Sequence, residues 1–273
     1  MVVFPGAKIN IGLYVTEKRT DGFHNIETLF YPIGLTDILE VIPDPKAQPG
    51  TIKLTLSGIK VEGSQDTNLV VKAYRLLHDR CNLPGAEVFL HKCIPSGAGL
   101  GGGSSDGASM LLVLNRLFNL NLSYCDLFDV ALQLGSDCPF FLDPIPSFAH
   151  GRGEELRDAA VTLKGHYIML FHTGVGISTA AAYKNVKVSE PDAPIDITES
   201  MPVETWKLKV TNAFEPFALD QQPVIRLIRD ELYRAGALYA SMTGSGSAVY
   251  GLFSSQTKVP KGISCYCIWK EKL

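Results

Sequence analysis

The chain has 273 residues, 46% of them hydrophobic and 19% charged, which is the composition of one large or two ordinary globular domains with a sizeable core. A formal net charge of −3 with no Lys/Arg run speaks against a nucleic-acid surface, and no apolar stretch is long enough to cross a bilayer. Cys81, Cys93, Cys125, Cys138, Cys265 and Cys267 form no CxxC pair, and the six histidines have no metal-type spacing. The expectation is a protein with reduced thiols and no structural metal. The opening MVVFPGAKIN lacks the pattern of a secretory leader, so the expected location is the cytoplasm.

In KINIGLYVTEK, Ile9, Ile11, Leu13 and Val15 alternate with Lys8, Asn10, Gly12 and Tyr14. A period of two predicts a half-buried strand with Lys8 and Asn10 together on the face away from the core. TDG then marks a tight turn into FHNIETLFYPIGL, making an N-terminal hairpin. TIKLTLSGI reads as a strand. NLVVKAYRLLHDR reads as a helix capped by Thr67 or Asn68, and AEVFLHKCI as the strand that delivers the chain to Pro95. SSDGASMLLVLNRLF is apolar on nearly all sides and predicts a buried helix. Ser123 and Asp126 have capping-box spacing before YCDLFDVALQL, which Gly135 closes. Further on, GHYIMLFHT is a strand, and residues 185–203 form a proline- and acid-rich loop. PVIRLIRDELYRAG is a helix with Pro223 in its first turn and Gly236 at its end, LYASMTGSGSAVYGLF is two strands around a small-residue turn, and SCYCIWK is a last strand. Strands and helices mix without strict alternation. The expected class is therefore α+β in two lobes, with mixed or antiparallel sheets and packed helices, and domains at 1–150 and 151–273.

The densest signal is PSGAGLGGGSSDG, Pro95 to Gly107, running directly into the buried helix. Glycine gives up the most backbone freedom on folding, so such a cluster implies that something bulky approaches the backbone. Loop amides leading into a helix N-terminus form an anion cradle, and a triphosphate is the natural guest. Gly97, Gly99 and Gly102 satisfy GxGxxG, but a dinucleotide fold needs a strand after the helix, and here a second helix follows. A P-loop needs Lys before the Ser, and this loop has Gly103 there.

PSGAGLGGGSS resembles the phosphate loop of the galactokinase, homoserine kinase, mevalonate kinase and phosphomevalonate kinase (GHMP) superfamily. PGAKINIGLYVTEKRTDGFHNIETLF, LGSDCPFFL and MTGSGSAVYGLF resemble its other motifs in the right order over nearly the whole chain. Within it, GLGGGSS is similar to the branch that phosphorylates cytidine diphosphate methylerythritol. The resemblance implies a GHMP-kinase-like fold with the active site in the cleft between the lobes. It also implies transfer of the γ-phosphoryl of ATP to the 2-hydroxyl of that alcohol, giving the 2-phosphate and ADP in non-mevalonate isoprenoid synthesis. A sister kinase of mevalonate, homoserine or a sugar, or a silent nucleotide binder, is the alternative.

The residue roles follow from the same resemblance. Lys8 and Asp137 fall at the catalytic positions, with Asp137 as general base or as an orienting group; Asp137 could also cap the turn that Pro139 opens. ATP is expected on Pro95, Ser96, Gly97, Ala98, Gly99, Leu100, Gly101, Gly102, Gly103, Ser104 and Ser105. Mg²⁺ is expected with the ATP and no protein metal ligand is assigned. Asn10, Phe23, His24, Lys92, Thr179 and Tyr183 match acceptor-side positions, with the cytosine sandwiched between Phe23 and Tyr183. Relatives carry tyrosine where Phe23 stands, so a hydroxyl contact is lost there. Gly244 and Gly246 match a loop that supports the phosphate loop. Asp106 would repel phosphate if it faced the ligand. The expected partner is this small molecule, with no nucleic acid and no membrane, and the expected state is a monomer or weak homodimer.

Overall fold

The computed structural model describes residues 1–61, 63–188 and 195–273. After β1 (Val2–Val3), β2 (Gly6–Lys18) carries the alternating run. Both of its faces are covered: Lys8 and Asn10 are 3% and 2% exposed, so they do not lie on an open face as the alternation predicts. Burial is tolerable because the two polar side chains meet each other, Lys8 Nζ donating to Asn10 Oδ1 at 2.5 Å. Midway, Gly12 stands at φ +64°, where a Cβ would come within 2.6 Å of the Ile195 side chain. The next residue, Leu13, exchanges backbone hydrogen bonds with Thr211 and Ala213.

A turn through Gly22 (φ +89°) leads to β3 (His24–Thr36), and one residue later to β4 (Ile38–Asp44). β5 (Ile52–Gly58) precedes α1 (Leu69–Cys81), where Asn68 is the cap, its Oδ1 accepting the Val70 N–H at 2.9 Å. β6 (Gly85–Lys92) feeds the glycine loop and α2 (Gly102–Leu117). α3 (Tyr124–Leu134) opens with the reciprocal Ser123–Asp126 capping box and ends at Gly135. Then come β7 (Ser147–His150), β8 (Glu155–Asp158), β9 (Tyr167–Phe171), α4 (Thr179–Asn185), α5 (Val203–Trp206), α6 (Glu215–Gln221), α7 (Pro223–Arg234), β10 (Tyr239–Met242), β11 (Val249–Phe253) and β12 (Cys267–Lys272). The start of SCYCIWK is a 3-10 turn, and the strand begins only at Cys267. Within the expected 185–203 loop, Ile195–Glu199 is a 3-10 turn, while residues 189–194 lie outside the described residues.

The strands form three four-stranded sheets, ordered β1-β4-β6-β5, β2-β3-β7-β8 and β10-β11-β9-β12. β5 and β6 run parallel; β4–β6 and every pairing of the third sheet are antiparallel. The fold is α+β with mixed and antiparallel sheets. The chain divides into two compact units built from interleaved segments. The first, Met1–Ala7, Gly34–Ser96 and Gly101–Pro144, holds the first sheet and α1–α3. Its core draws on Val70, Tyr74 and Leu77 of α1, Met110, Leu111 and Leu114 of α2, and Leu39, Val41, Val88 and Leu90 of the sheet. The second unit, Lys8–Ile33, Gly97–Leu100 and Ile145–Leu273, has a core of Leu13, Val15, Phe171, Ile225, Ile228, Leu232, Val249 and Phe253. The last passage between units is at Pro144 and Ile145.

Candidate active site

In the first unit, α2 begins at Gly102 behind Gly101, which stands at φ +73° and offers no side-chain cap. The first-turn amides of a helix have no partners within it, and among the described residues no side-chain cap hydrogen bond closes this end. Around Gly103 there is open space: a Cβ built there meets nothing within 4 Å. Positive φ angles at Gly97, Gly99 and Gly101 let the loop curl in a way that side chains rarely permit. This end of the helix is thus shaped and polarised to receive an anion, and it fits the phosphates of a nucleotide.

Lys8 and the other end of the loop belong to the second unit. The ammonium of Lys8 donates to Asn10 Oδ1 at 2.5 Å and to the Gly99 carbonyl at 3.1 Å, and it lies 4.9 Å from the centre of the Phe30 ring. Its own N–H donates to the Leu100 carbonyl at 3.0 Å. The Asn10 side chain also donates to Thr28 Oγ1 at 2.9 Å and accepts from Thr243 Oγ1 at 3.3 Å, so a substrate contact there would displace one of these partners. Gly99 is held by the turn after β10. Thr243 Oγ1 donates to its carbonyl at 3.0 Å, and a Cβ on Gly99 would fall 2.0 Å from the Thr243 carbonyl oxygen. Gly244 lies against Gly99 as well, and Gly246 packs on Met242 and Ile177.

Asp137 is half-buried in the turn between α3 and a 3-10 turn at Pro139–Leu142. It does not cap that turn. Pro139 occupies its first position, which makes Cys138 the cap residue. Burial pushes the Cys138 pKa up to about 12, with the Ser104 side chain opposing the rise. One step along the chain from Asp137 is therefore an inert thiol. Ser105, next to Ser104, is buried.

Lys92 is 3% exposed and clamped between Asp37 and Asp106, the latter at 2.6 Å. Asp106 therefore does not stand open at the phosphate cradle. Lys92 belongs to the first unit, whereas the other expected acceptor residues, Asn10, Phe23, His24, Thr179 and Tyr183, lie in the second. Tyr183 stacks on His24 with ring centres 5.0 Å apart and meets Phe214 edge-on at 4.9 Å. Burial, and then Lys18, hold the His24 pKa below its ordinary value. Phe23 is half exposed, with the Arg152 guanidinium 4.8 Å from its ring centre, and its N–H is held by Asp21 Oδ1 at 3.0 Å. Thr179 Oγ1 lies 3.0 Å from Ser245 Oγ, which ties the start of α4 to the turn carrying Gly244 and Gly246.

Residues 68–143 match the GHMP kinases N terminal domain and residues 204–269 match GHMP kinases C terminal. The 4-diphosphocytidyl-2-C-methyl-D-erythritol kinase of Bacteroides thetaiotaomicron is 46% identical over 98% of this chain and 98% of its own. The chain belongs to this family of GHMP kinases. A crystal structure of 4-(cytidine 5'-diphospho)-2C-methyl-D-erythritol kinase superposes with a TM-score of 0.77 at 32% identity, over 92% of this chain and 90% of that one. Homoserine kinase from Cytophaga hutchinsonii shares the fold, with a TM-score of 0.66 at 16% identity over 92% and 86% of the two chains.

Several residues of this GHMP kinase escaped the sequence reading. Asp37 is fully buried and accepts the N–H groups of Cys93 at 2.5 Å and Ile94 at 2.9 Å, fixing the entry to the loop. The signal available was an acid breaking the mostly apolar run IGLTDIL. Thr28, Thr243 and Tyr250 surround Asn10, the Tyr250 hydroxyl donating to its carbonyl at 2.8 Å. They stand 18 to 240 positions away in sequence, where no local pattern could join them.

Proposed function

We propose that the protein transfers the γ-phosphoryl group of ATP to the 2-hydroxyl of 4-diphosphocytidyl-2-C-methyl-D-erythritol, forming the 2-phosphate and ADP in isoprenoid precursor synthesis. The uncapped start of α2 behind three left-handed glycines carries the reading, because it is built to hold a polyphosphate. Near-full-length identity to kinases named for this substrate supports the choice of acceptor.

In this reading Asp137 orients the 2-hydroxyl and receives its proton as the oxygen bonds to the γ-phosphorus. The bond from that phosphorus to the β,γ-bridging oxygen breaks, and ADP leaves. Lys8, fixed by Asn10 and Gly99, sets a positive charge against the charge on the transferring group. Phosphoryl transfer depends chiefly on such positioning and charge stabilisation. Mg²⁺ would come with ATP, held mainly by phosphate oxygens and water, and would neutralise developing charge. Phe23, His24, Thr179 and Tyr183 would receive the cytidine diphosphate end, and Gly244 and Gly246 would keep Gly99 in place. Lys92, held by Asp37 and Asp106, would act on the acceptor side. We keep the functional division near residue 150, with nucleotide binding and catalysis in 1–150 and the C-terminal GHMP-kinase part in 151–273. Net acidity and free thiols favour a cytoplasmic enzyme of small molecules, a monomer or weak homodimer.

The test is ADP release with the cytidylyl alcohol, mevalonate, homoserine and galactose offered separately. Turnover is expected with the first alone; turnover with another and not with it would sink the assignment. Asp137→Asn is expected to lower kcat by about 10²–10⁴-fold while a non-hydrolysable ATP analogue binds as before.

A further inference from the structure

A buried charge is costly unless hydrogen bonds satisfy it. Lys8, 3% exposed, donates to two neutral oxygens of its own unit, Asn10 Oδ1 at 2.5 Å and the Gly99 carbonyl at 3.1 Å. The two oxygens differ in kind. A backbone carbonyl can only accept. A side-chain amide can turn over, and it would then offer the ammonium its NH₂ group, donor against donor. The direction in which the Asn10 amide faces therefore decides whether Lys8 keeps its place.

Thr28, on β3 of the same unit, sets that direction. It is fully buried, and its hydroxyl donates its one hydrogen to the Gly12 carbonyl at 2.6 Å. Only lone pairs are left to face Asn10, and they accept from Asn10 Nδ2 at 2.9 Å. With the NH₂ end held there, Oδ1 stands at the other end, toward Lys8. Thr243 repeats the pattern from the far side. Its hydroxyl accepts the Asn10 N–H at 2.9 Å, so its hydrogen points to the two oxygens that hold Lys8: the Gly99 carbonyl at 3.0 Å and Asn10 Oδ1 at 3.3 Å.

We propose that Thr28 is a positioning residue for phosphoryl transfer: its hydroxyl fixes the polarity of the Asn10 amide and, through it, the place of the Lys8 ammonium. The proposal rests on the reading of Lys8 as the charge set against the transferring group. Thr28 has no exposed surface with which to touch a ligand, so its loss belongs in turnover and not in substrate binding. Valine keeps the branched shape of threonine and removes the hydroxyl. The Asn10 NH₂ group then loses its acceptor, and nothing opposes its turning toward the ammonium, where two donors meet and both go unsatisfied.

The experiment is steady-state kinetics of Thr28→Val, Thr28→Ser, Asn10→Ala, the double variant Thr28→Val with Asn10→Ala, and Lys8→Met, varying ATP and the cytidylyl alcohol in turn. Thr28→Val should lower kcat by about ten- to a hundred-fold, the worth of a hydrogen bond to a charged group, with both KM values unchanged. Thr28→Ser, which keeps the hydroxyl, should restore turnover. In Asn10→Ala there is no amide to turn, so adding Thr28→Val should cost nothing further, whereas a merely structural threonine costs the same in both backgrounds. Additive losses, a native kcat in Thr28→Val, or a loss confined to KM overturns the proposal. A native kcat in Lys8→Met fails the reading of Lys8 and this proposal with it. An impaired Lys8→Met beside a native Thr28→Val fails this proposal alone. The native protein decides the geometry even if a variant does not fold. With ¹⁵N-labelled asparagine, the Asn10 Nδ2 protons should show stronger cross-relaxation with the Thr28 methyl group than with the Lys8 side chain, and the reverse overturns the proposal.

Discussion

At the scale of single residues, burial rather than exposure marks the chemistry. Lys8, Asn10, Lys92 and Asp106 are polar side chains at most 3% exposed, each held by named partners. Alternation in the first strand made Lys8 and Asn10 visible as a pair, but it could not tell that both faces would be covered. Gly99 shows how little room the loop has. Replacing it with alanine puts a Cβ 2.0 Å from the Thr243 oxygen at a φ of +78°, so Gly99→Ala should lose about 1–3 kcal/mol of stability. Chemical denaturation reads this directly; an unchanged midpoint would refute the close approach. Asp106 carries a pH prediction of its own. Its acid pKa rises from 3.8 in the unfolded chain to about 7 in the folded protein, so folding takes up a proton between those values. Stability from this group therefore falls as pH climbs from about 4 through 7, and above 7 the folded state must hold the surplus charge. Asp106→Asn should raise Tm most at pH 8, with the gain fading as the pH approaches 4, in melting curves recorded across that range.

At the scale of elements, the helices with both a periodic apolar pattern and a chemical cap were legible: α1 with Asn68, α3 with Ser123 and Asp126, and α7 with Pro223. Ser123→Ala removes half of the capping box and should cost about 1 kcal/mol, seen as a drop of about 2–4 °C in Tm. α2 was legible as a buried helix because its apolar residues run all round. Leu111 has no solvent exposure, and Leu111→Ala should destabilise by about 2–5 kcal/mol. β4 was not legible, since only Asp37 separates it from β3 and the two merge into one apolar run. β7, β8 and α5 have four residues each, too short to show a period. The candidate site was legible where its motifs are contiguous in sequence. Asp37, Thr28 and Arg152 were missed because their partners come from distant strands or turns.

At the scale of the whole molecule, the two units do not follow each other along the chain. Lys8–Ile33 and Gly97–Leu100 belong with the C-terminal half. Composition and periodicity carry no record of such interleaving, because it is created by long-range pairing such as Leu13 with Asn212 and Asn10 with Thr243. A fragment of residues 1–150 should therefore fail to melt cooperatively, since its first long strand loses those partners. A sharp transition by circular dichroism in that fragment would contradict the division.

Six free thiols bring a practical consequence. Cys125, in the first turn of α3, and Cys265, just before β12, are exposed and sit on different units. Cys138 is buried and holds its proton too tightly to react. Once the half-buried Cys81, Cys93 and Cys267 are replaced, a donor and an acceptor dye on the remaining pair become a built-in ruler. Energy transfer between them would report, molecule by molecule, whether the arrival of a nucleotide changes the span between the two halves.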